Sequence, residues 1–333
     1  MDFRTRVQIP KPPFTIDPGD RLLFVGSCFA DRVGQRFRDE GFQVVVNPYG
    51  VMYNPASILH SIERLLASTD SFPPFREGQG GLPSPFREGS GAHVAVLTLG
   101  TNHVYVEKAT GEIVDNCRKR PQQLFDEQEL SVDECADYLR KVITLLRRHD
   151  SLISIILTVS PIRYAKYGFH GSQLSKATLL LAVNKILNEG LEEWGGKKAS
   201  PVGGGLEGWG GKEASPTGGG LEGAFYFPAY EIVVDELRDY RFYASDMLHP
   251  NEQAVEYIWE QLVDTLFSDA ARCYLKDFQP VKAALAHRPF RPDSPDYQAF
   301  LAGVRQKADA LAEKYPHLRT WMSDHIHVRS TST

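Results

Sequence analysis

Long apolar runs are missing from this chain. The longest, around "LISIILTV" (152–159), falls far short of the ~20 residues that span a bilayer. The opening "MDFRTRVQIPKPPFTIDPGD" has no apolar stretch of the signal-peptide kind, so a cytoplasmic protein without a membrane partner is expected. Cysteine is scarce: Cys28, Cys117, Cys135 and Cys273 are scattered without CxxC spacing, which argues against a disulfide framework and a structural zinc site and for free thiols. Charge of one sign is not concentrated either. Lys plus Arg number 37 against 42 Asp plus Glu, a net charge of −5 without runs, so nothing favours a nucleic-acid partner. "HIH" (His325, His327) has a spacing compatible with metal ligation but no companion ligands, and reads as part of a polar tail. No metal or cofactor is expected.

What the chain does have is five short β-rich runs: "RLLFVG" (21–26), "FQVVVN" (42–47), "HVAVLTLG" (93–100), "LISIILTVS" (152–160) and "AFYFPA" (224–229). Their apolarity is continuous rather than alternating, as in strands buried on both faces. Helical patterns lie between them. "SVDECADYLRKVITLLRRHD" opens on a capping box, Ser131 with Glu134, and carries Leu139, Val142, Ile143 and Leu146 on one stripe; "SQLSKATLLLAVNKILNEG" stops at Gly190. Alternation of strand and helix predicts a parallel sheet covered on both faces. Pro250 suits a first helical position, and Ala254, Ile258, Leu262 and Leu266 recur every four residues, so a helix is expected from about His249.

Two segments break the rhythm. "LEEWGGKKASPVGGG" (191–205) returns with three differences as "LEGWGGKEASPTGGG" (206–220), and "PPFREGQGG" (73–81) is echoed by "PSPFREGSG" (83–91). Two Gly-rich units with almost no apolar content cannot stack as a solenoid, so insertions are read at about 72–91 and 191–223. The domain carrying them spans 1–268, and 269–333 reads as a helical C-terminal extension.

Two places could carry chemistry. "FVGSCFADRV" (24–33) sets Ser27 and Cys28 at the turn after the first strand, beyond the carboxyl edge where open α/β sheets bind ligands. A nucleophile there feels the unpaired N–H groups of a helix N-terminus. Equally, Ser27 can be an N-cap and Cys28 a small buried residue. "DMLHPN" (246–251) puts Asp246 and His249 three residues apart, the spacing of a base and the carboxylate that orients it.

Together these segments resemble the SGNH, or GDSL-like, hydrolases, and "FVGSCFA" is the signature of the GSCFA family. "NPYG" (47–50) is similar to the superfamily's glycine block, "LTLGTN" (97–102) to its GxN block and "DMLHPN" to its terminal Asp-x-x-His block. The resemblance covers about residues 20–268. It implies a three-layer α/β/α sandwich with a five-stranded parallel sheet in flavodoxin-like order 2-1-3-4-5. It also implies acyl transfer: a nucleophile, His249 as base, Asp246 as its orienter, and an oxyanion hole from the nucleophile's N–H, Gly50 and the Asn102 side chain. Ungapped alignment lays Cys28 over the superfamily's serine and Ser27 over its aspartate; Ser27 is the alternative nucleophile if the turn slips by one residue. His103 stands where the superfamily usually has Asp. The expected substrate is a small-molecule or saccharide ester, and a non-catalytic binding or scaffold protein is the alternative function. Oligomeric state is not legible.

Overall fold

The computed structural model describes residues 4–67, 93–115, 120–188, 224–287, 290–291, 294–319 and 321–322. Both Gly-rich insertions, Cys117, His325 and His327 lie outside the described residues. Strands β1 (Arg21–Gly26), β2 (Gln43–Val46) and β3 (Val94–Leu99) fall where the apolar runs predict them. So do β7 (Ser154–Val159) and β8 (Ala224–Tyr226). They form one parallel sheet in the order β2-β1-β3-β7-β8, which is 2-1-3-4-5 when the sheet strands are counted alone.

Alternate residues of each strand feed two separate apolar cores, because successive side chains leave a strand on opposite faces. Leu22, Phe24, Val94, Val96 and Ile156 pack against α1 (Cys28–Asp39) and α6 (Glu252–Leu266). The same cluster takes in residues of α7 (Asp269–Ala286) and α8 (Pro295–Lys314). Leu23, Val25, Ala95, Leu97, Ile155 and Leu157 face α2 (Pro55–Ala67), α3 (Val132–His149) and α4 (Gly168–Asn188). These are the two helical layers of the sandwich. The α3 capping box is present, with Ser131 and Glu134 each accepting the other's backbone N–H. After β8 comes a short α5 (Ala229–Glu231) that continues as a π-helical turn, Ile232–Leu237.

Two features differ from the sequence reading. Residues 103–129 build a second, antiparallel sheet, β5 (Ile113–Val114) and β6 (Phe125–Glu129) flanking β4 (His103–Glu107). Its signal is the alternation in "HVYVE" followed by a turn at Gly111, whose φ of +72° suits glycine. The last helix of the sandwich starts at Glu252 with Asn251 as N-cap, not near His249. Pro250 instead pairs with Tyr243 in an isolated bridge, and the Asn251 carboxamide oxygen accepts from Ala254 N–H, so the cap outranks the proline as a start signal.

Candidate active site

The turn after β1 is pinned before it can present a side chain. Gly26 has φ +145°, and a Cβ there would collide with the Thr98 carbonyl of the neighbouring β3, so only glycine lets the chain turn at this point. Gly26 N–H donates to the Asn47 side chain at 2.8 Å, and Ser27 N–H lies 3.0 Å from the Thr98 carbonyl and 2.9 Å from its hydroxyl. Asn47 is itself left-handed (φ +42°) and donates its amide to Asp31 at 2.7 Å.

Within this turn the two nucleophile candidates diverge. Ser27 is fully buried, its hydroxyl 3.1 Å from that of Thr98 and accepting from Phe29 N–H at 3.3 Å, as the N-cap of α1. Cys28, the first residue of α1, is half-buried and sets Sγ 3.5 Å from Nε2 of His249. The other ring nitrogen, Nδ1, lies 2.5 Å from Oδ2 of Asp246. The second Asp246 oxygen accepts the N–H groups of Leu248 and His249 at 2.9 and 3.0 Å. Those two N–H groups, His249 first, and then the imidazole hold the Asp246 carboxyl well below the usual carboxylate range. Burial pushes the Cys28 thiol up, against the pull of its own main-chain N–H, so the resting sulfur carries its proton near neutrality and needs a base.

The loop carrying Asp246 and His249 is held from β7's side. Arg163 N–H and Nη1 donate to the carbonyls of Leu248 and Met247, each at 3.1 Å. Its guanidinium stacks 4.0 Å from the Phe169 ring centroid. Met247 occupies a left-handed conformation (φ +59°), and Ala244 N–H closes the loop on the His249 carbonyl at 2.7 Å.

Of the oxyanion donors implied by the resemblance, Gly50 N–H is engaged elsewhere and the Asn102 side chain commits one of its two N–H donors to another partner. Gly50 N–H donates to the Asn47 carbonyl at 2.8 Å in a tight turn at φ +92°. Asn102 Nδ2 donates to the Leu130 carbonyl at 2.8 Å, while Asn102 N–H binds Ser175 Oγ at 3.0 Å. His103, in the divergent position, is buried and stacks on Tyr167 with ring centroids 3.6 Å apart.

Beside the turn opens a cavity of about 490 Å³ lined by Tyr53, His103, Tyr105, Tyr164, Tyr167 and Lys166 among others. Its wall is tied to the turn that carries Cys28, since Met52 N–H donates to the Gly26 carbonyl at 2.8 Å. Such a volume is in the range of small-molecule sites. Lys166 is neutralised by Glu127 at 2.9 Å, so aromatic faces and hydroxyls set the character of the walls. The sequence reading also passes over Lys176. Its signal was present: it stands in register with Ser172, Leu179 and Val183 on the buried stripe of α4, where a lysine is out of place. It is 2% exposed, donates to the Gly100 carbonyl at 2.6 Å, and burial lowers its pKa to about 7.

Among known proteins, the model described as the GSCFA family matches residues 21–73, 87–194 and 219–262, and that of the GSCFA domain protein, C-terminal domain, matches 278–322. No curated protein sequence matches the chain. Solved structures similar to it include a mutant acetyl esterase with an acetate ion (9% identity, TM-score 0.37, 78% of this chain and 99% of that one). A carbohydrate esterase family 3 protein from Talaromyces cellulolyticus aligns at 8% identity and TM-score 0.35, over 78% and 99% of the two chains. An acetyl xylan esterase from the rumen bacterium Butyrivibrio proteoclasticus aligns at 11% and 0.38, over 74% and 63%.

Proposed function

The chain belongs to the GSCFA family, and from that premise we propose that it is an esterase-like acyl hydrolase or acyltransferase with Cys28 as nucleophile, His249 as general base and Asp246 as orienter of His249. The observation that carries this reading is the 3.5 Å approach of Cys28 Sγ to His249 Nε2 with Asp246 on the far side of the ring. His249 takes the thiol proton as sulfur attacks the ester carbonyl; the tetrahedral oxyanion collapses with transfer of that proton to the departing alcohol. A thioester remains on Cys28. Water, or an acceptor alcohol, then attacks the thioester with His249 again as base, releasing the acid or a new ester and restoring the thiol. The Cys28 N–H at the start of α1 is one oxyanion donor, aided by the positive helix end. The substrate is a small ester, of which acetylated saccharides are one class.

A second reading has an observation of its own. With Gly50 N–H engaged and one Asn102 amide N–H committed to the Leu130 carbonyl, the site also suits a binding or scaffold protein that keeps the fold. Aryl acyl esters of increasing chain length, together with acetylated saccharides, separate the two. Turnover lost by orders of magnitude in His249→Ala and in Cys28→Ala, but kept in Ser27→Ala at a stability cost of about 1 kcal/mol, supports the cysteine enzyme. Turnover surviving in Cys28→Ala and abolished in Ser27→Ala makes it a serine enzyme. Absence of turnover with every ester favours the scaffold.

A further inference from the structure

The loop that carries His249 is gripped by a cation with donors to spare. Arg163, four residues past the end of β7, donates its main-chain N–H to the Leu248 carbonyl and Nη1 to the Met247 carbonyl, each at 3.1 Å. A guanidinium carries five N–H donors in a fixed fork. Among the described residues Nε and Nη2 of Arg163 reach no acceptor, and no carboxylate comes within ion-pair distance of it. Those two nitrogens form one edge of the plane, the pair that takes a carboxylate or phosphate through two parallel hydrogen bonds.

What surrounds this cation is aromatic. The rings of Phe169, Tyr240 and Tyr243 have their centroids 4.0, 5.6 and 5.5 Å from the guanidinium carbon. They do not close into a core: Phe169 is 53% exposed, Tyr240 64%, and Met247, whose carbonyl Nη1 holds, 47%. Large apolar side chains left in water singly are ordinary, but several gathered in one patch mark a binding surface. The patch also has an address. Leu248 directly precedes His249, and Tyr164, the chain neighbour of Arg163, lines the 490 Å³ cavity, so the patch borders both. Arg32, exposed one helical turn after Cys28 on the same side of α1, adds a second cation to this edge. The carboxylates nearby are engaged: Asp31 accepts from the Asn47 amide, Asp246 from the imidazole and two N–H groups, and Asp239 pairs with Arg241.

We propose that Arg163 and the rings around it bind an anionic group of the substrate, a carboxylate or a phosphate carried beside the ester, with the exposed rings packing on the apolar atoms that join the two. The word substrate rests on the reading of Cys28 and His249 as the reacting pair; the anion site itself does not.

Binding is measurable without turnover. Benzoate, benzamide and inorganic phosphate are each tested for protection of Cys28 from iodoacetamide, read by site-resolved mass spectrometry with the exposed Cys273 as internal reference. Benzoate is expected to protect at a concentration about tenfold lower than benzamide, the low end for a charge-assisted hydrogen-bonded pair, and Arg163→Gln should erase the difference. Protection by phosphate in place of benzoate, lost in the same variant, identifies the anion as a phosphate. Turnover is then compared in matched pairs. The p-nitrophenyl half-ester of adipate against p-nitrophenyl hexanoate puts the charge on the acyl side, and p-acetoxybenzoate against p-acetoxybenzamide puts it on the alcohol side. One pair should favour its anionic member about tenfold in kcat/KM, with the preference lost in Arg163→Gln. A disturbed His249 loop slows both members of a pair alike, so the ratio reports recognition and not loop position. Where Arg163→Gln does not fold, the wild-type preference should shrink severalfold between about 0.01 and 1 M salt, and a preference that salt leaves unmoved counts against the site. Equal protection by benzoate and benzamide with none by phosphate, or a difference that survives Arg163→Gln, overturns the proposal. Turnover without charge preference in either pair overturns the substrate role and spares the esterase; protection by an anion with no ester turned over does the reverse.

Discussion

At the scale of single residues, the contrast between neighbours at 27 and 28 is a matter of one helical position. An N-cap has extended backbone and turns its side chain back onto the helix's own N–H groups, whereas the first helical residue projects outward. Ser27, with φ −65° and ψ 171°, does the former. Asn102 gives the opposite lesson, because side-chain type alone does not say where an amide points. Its Nδ2 supports the Leu130 carbonyl just before α3, and the residue is 3% exposed. Replacing it by Ala leaves a buried carbonyl unsatisfied, so Asn102→Ala should lower stability by about 1–3 kcal/mol and reduce turnover far less than the hundredfold or more of an oxyanion donor. Thermal melts run beside ester kinetics decide it: a hundredfold loss at unchanged Tm would restore the oxyanion role.

At the scale of elements, the position of Cys28 depends on how α1 lies against the sheet. Gly34 lets the helix approach β2, since a Cβ there would sit 2.5 Å from a Val46 methyl. Phe37 is the other anchor. Its ring meets Phe24 of β1, Phe42, Trp259 of α6 and Phe267 at centroid distances of 4.8 to 5.6 Å. Phe37→Ala removes a fully buried ring from a site ringed by other stiff rings, which cannot collapse into the gap. A loss of about 3–5 kcal/mol in chemical denaturation is expected. A loss below about 1 kcal/mol would mean that α1 is held elsewhere. The loop bearing Asp246 and His249 is secured differently, by hydrogen bonds from Arg163 and within 241–251 rather than by apolar burial.

At the scale of the whole molecule, the C-terminal helices are built onto the α1 end of the sandwich. Glu40, fully buried at the close of α1, is reached by Arg36 and by Gln279 and Lys282 of α7, while Tyr274 donates to its carbonyl at 2.6 Å. Further on, Trp321 donates to the Arg38 carbonyl at 3.0 Å. Beside this seam His317 packs on Tyr274, and burial lowers its pKa from 6.5 to about 4. Above pH 6.5 the ring is neutral in both folded and unfolded chains and adds no pH dependence. As pH falls from 6.5 towards 4 the unfolded chain binds a proton that the folded one refuses, so stability declines through that window. His317→Phe should flatten this part of the stability profile, read by denaturant titrations at pH 4.5 and 7; an unchanged slope would exclude His317 as its source.

The sequence by itself determined the sheet and its helices. Each strand of the main sheet is a continuous apolar run, and α3 and α6 each carry an apolar stripe behind a capping residue, which are local properties of the chain. It also contained the Asp246–His249 pair, because three residues on one turn keep the two side chains together without help from the rest of the fold. The small sheet at 103–129 was harder to read, since its strands are short and its outer one, "FDEQE", is almost wholly exposed. Only the tertiary structure decided what meets across distance. Cys28 and His249 are 221 positions apart, and their contact exists because β1 and the loop ahead of α6 end at the same edge of one sheet. The same holds for Gly50 and Asn102, whose donors go to Asn47 and Leu130 as the surrounding turns require. It holds for Lys176 too: its place on an apolar stripe was written in the chain, but the Gly100 carbonyl it meets was set by the packing of α4 on the loop after β3. Hydrogen bonds and charge pairs are satisfied by whichever group arrives within about 3 Å, and only the completed fold determines which group that is.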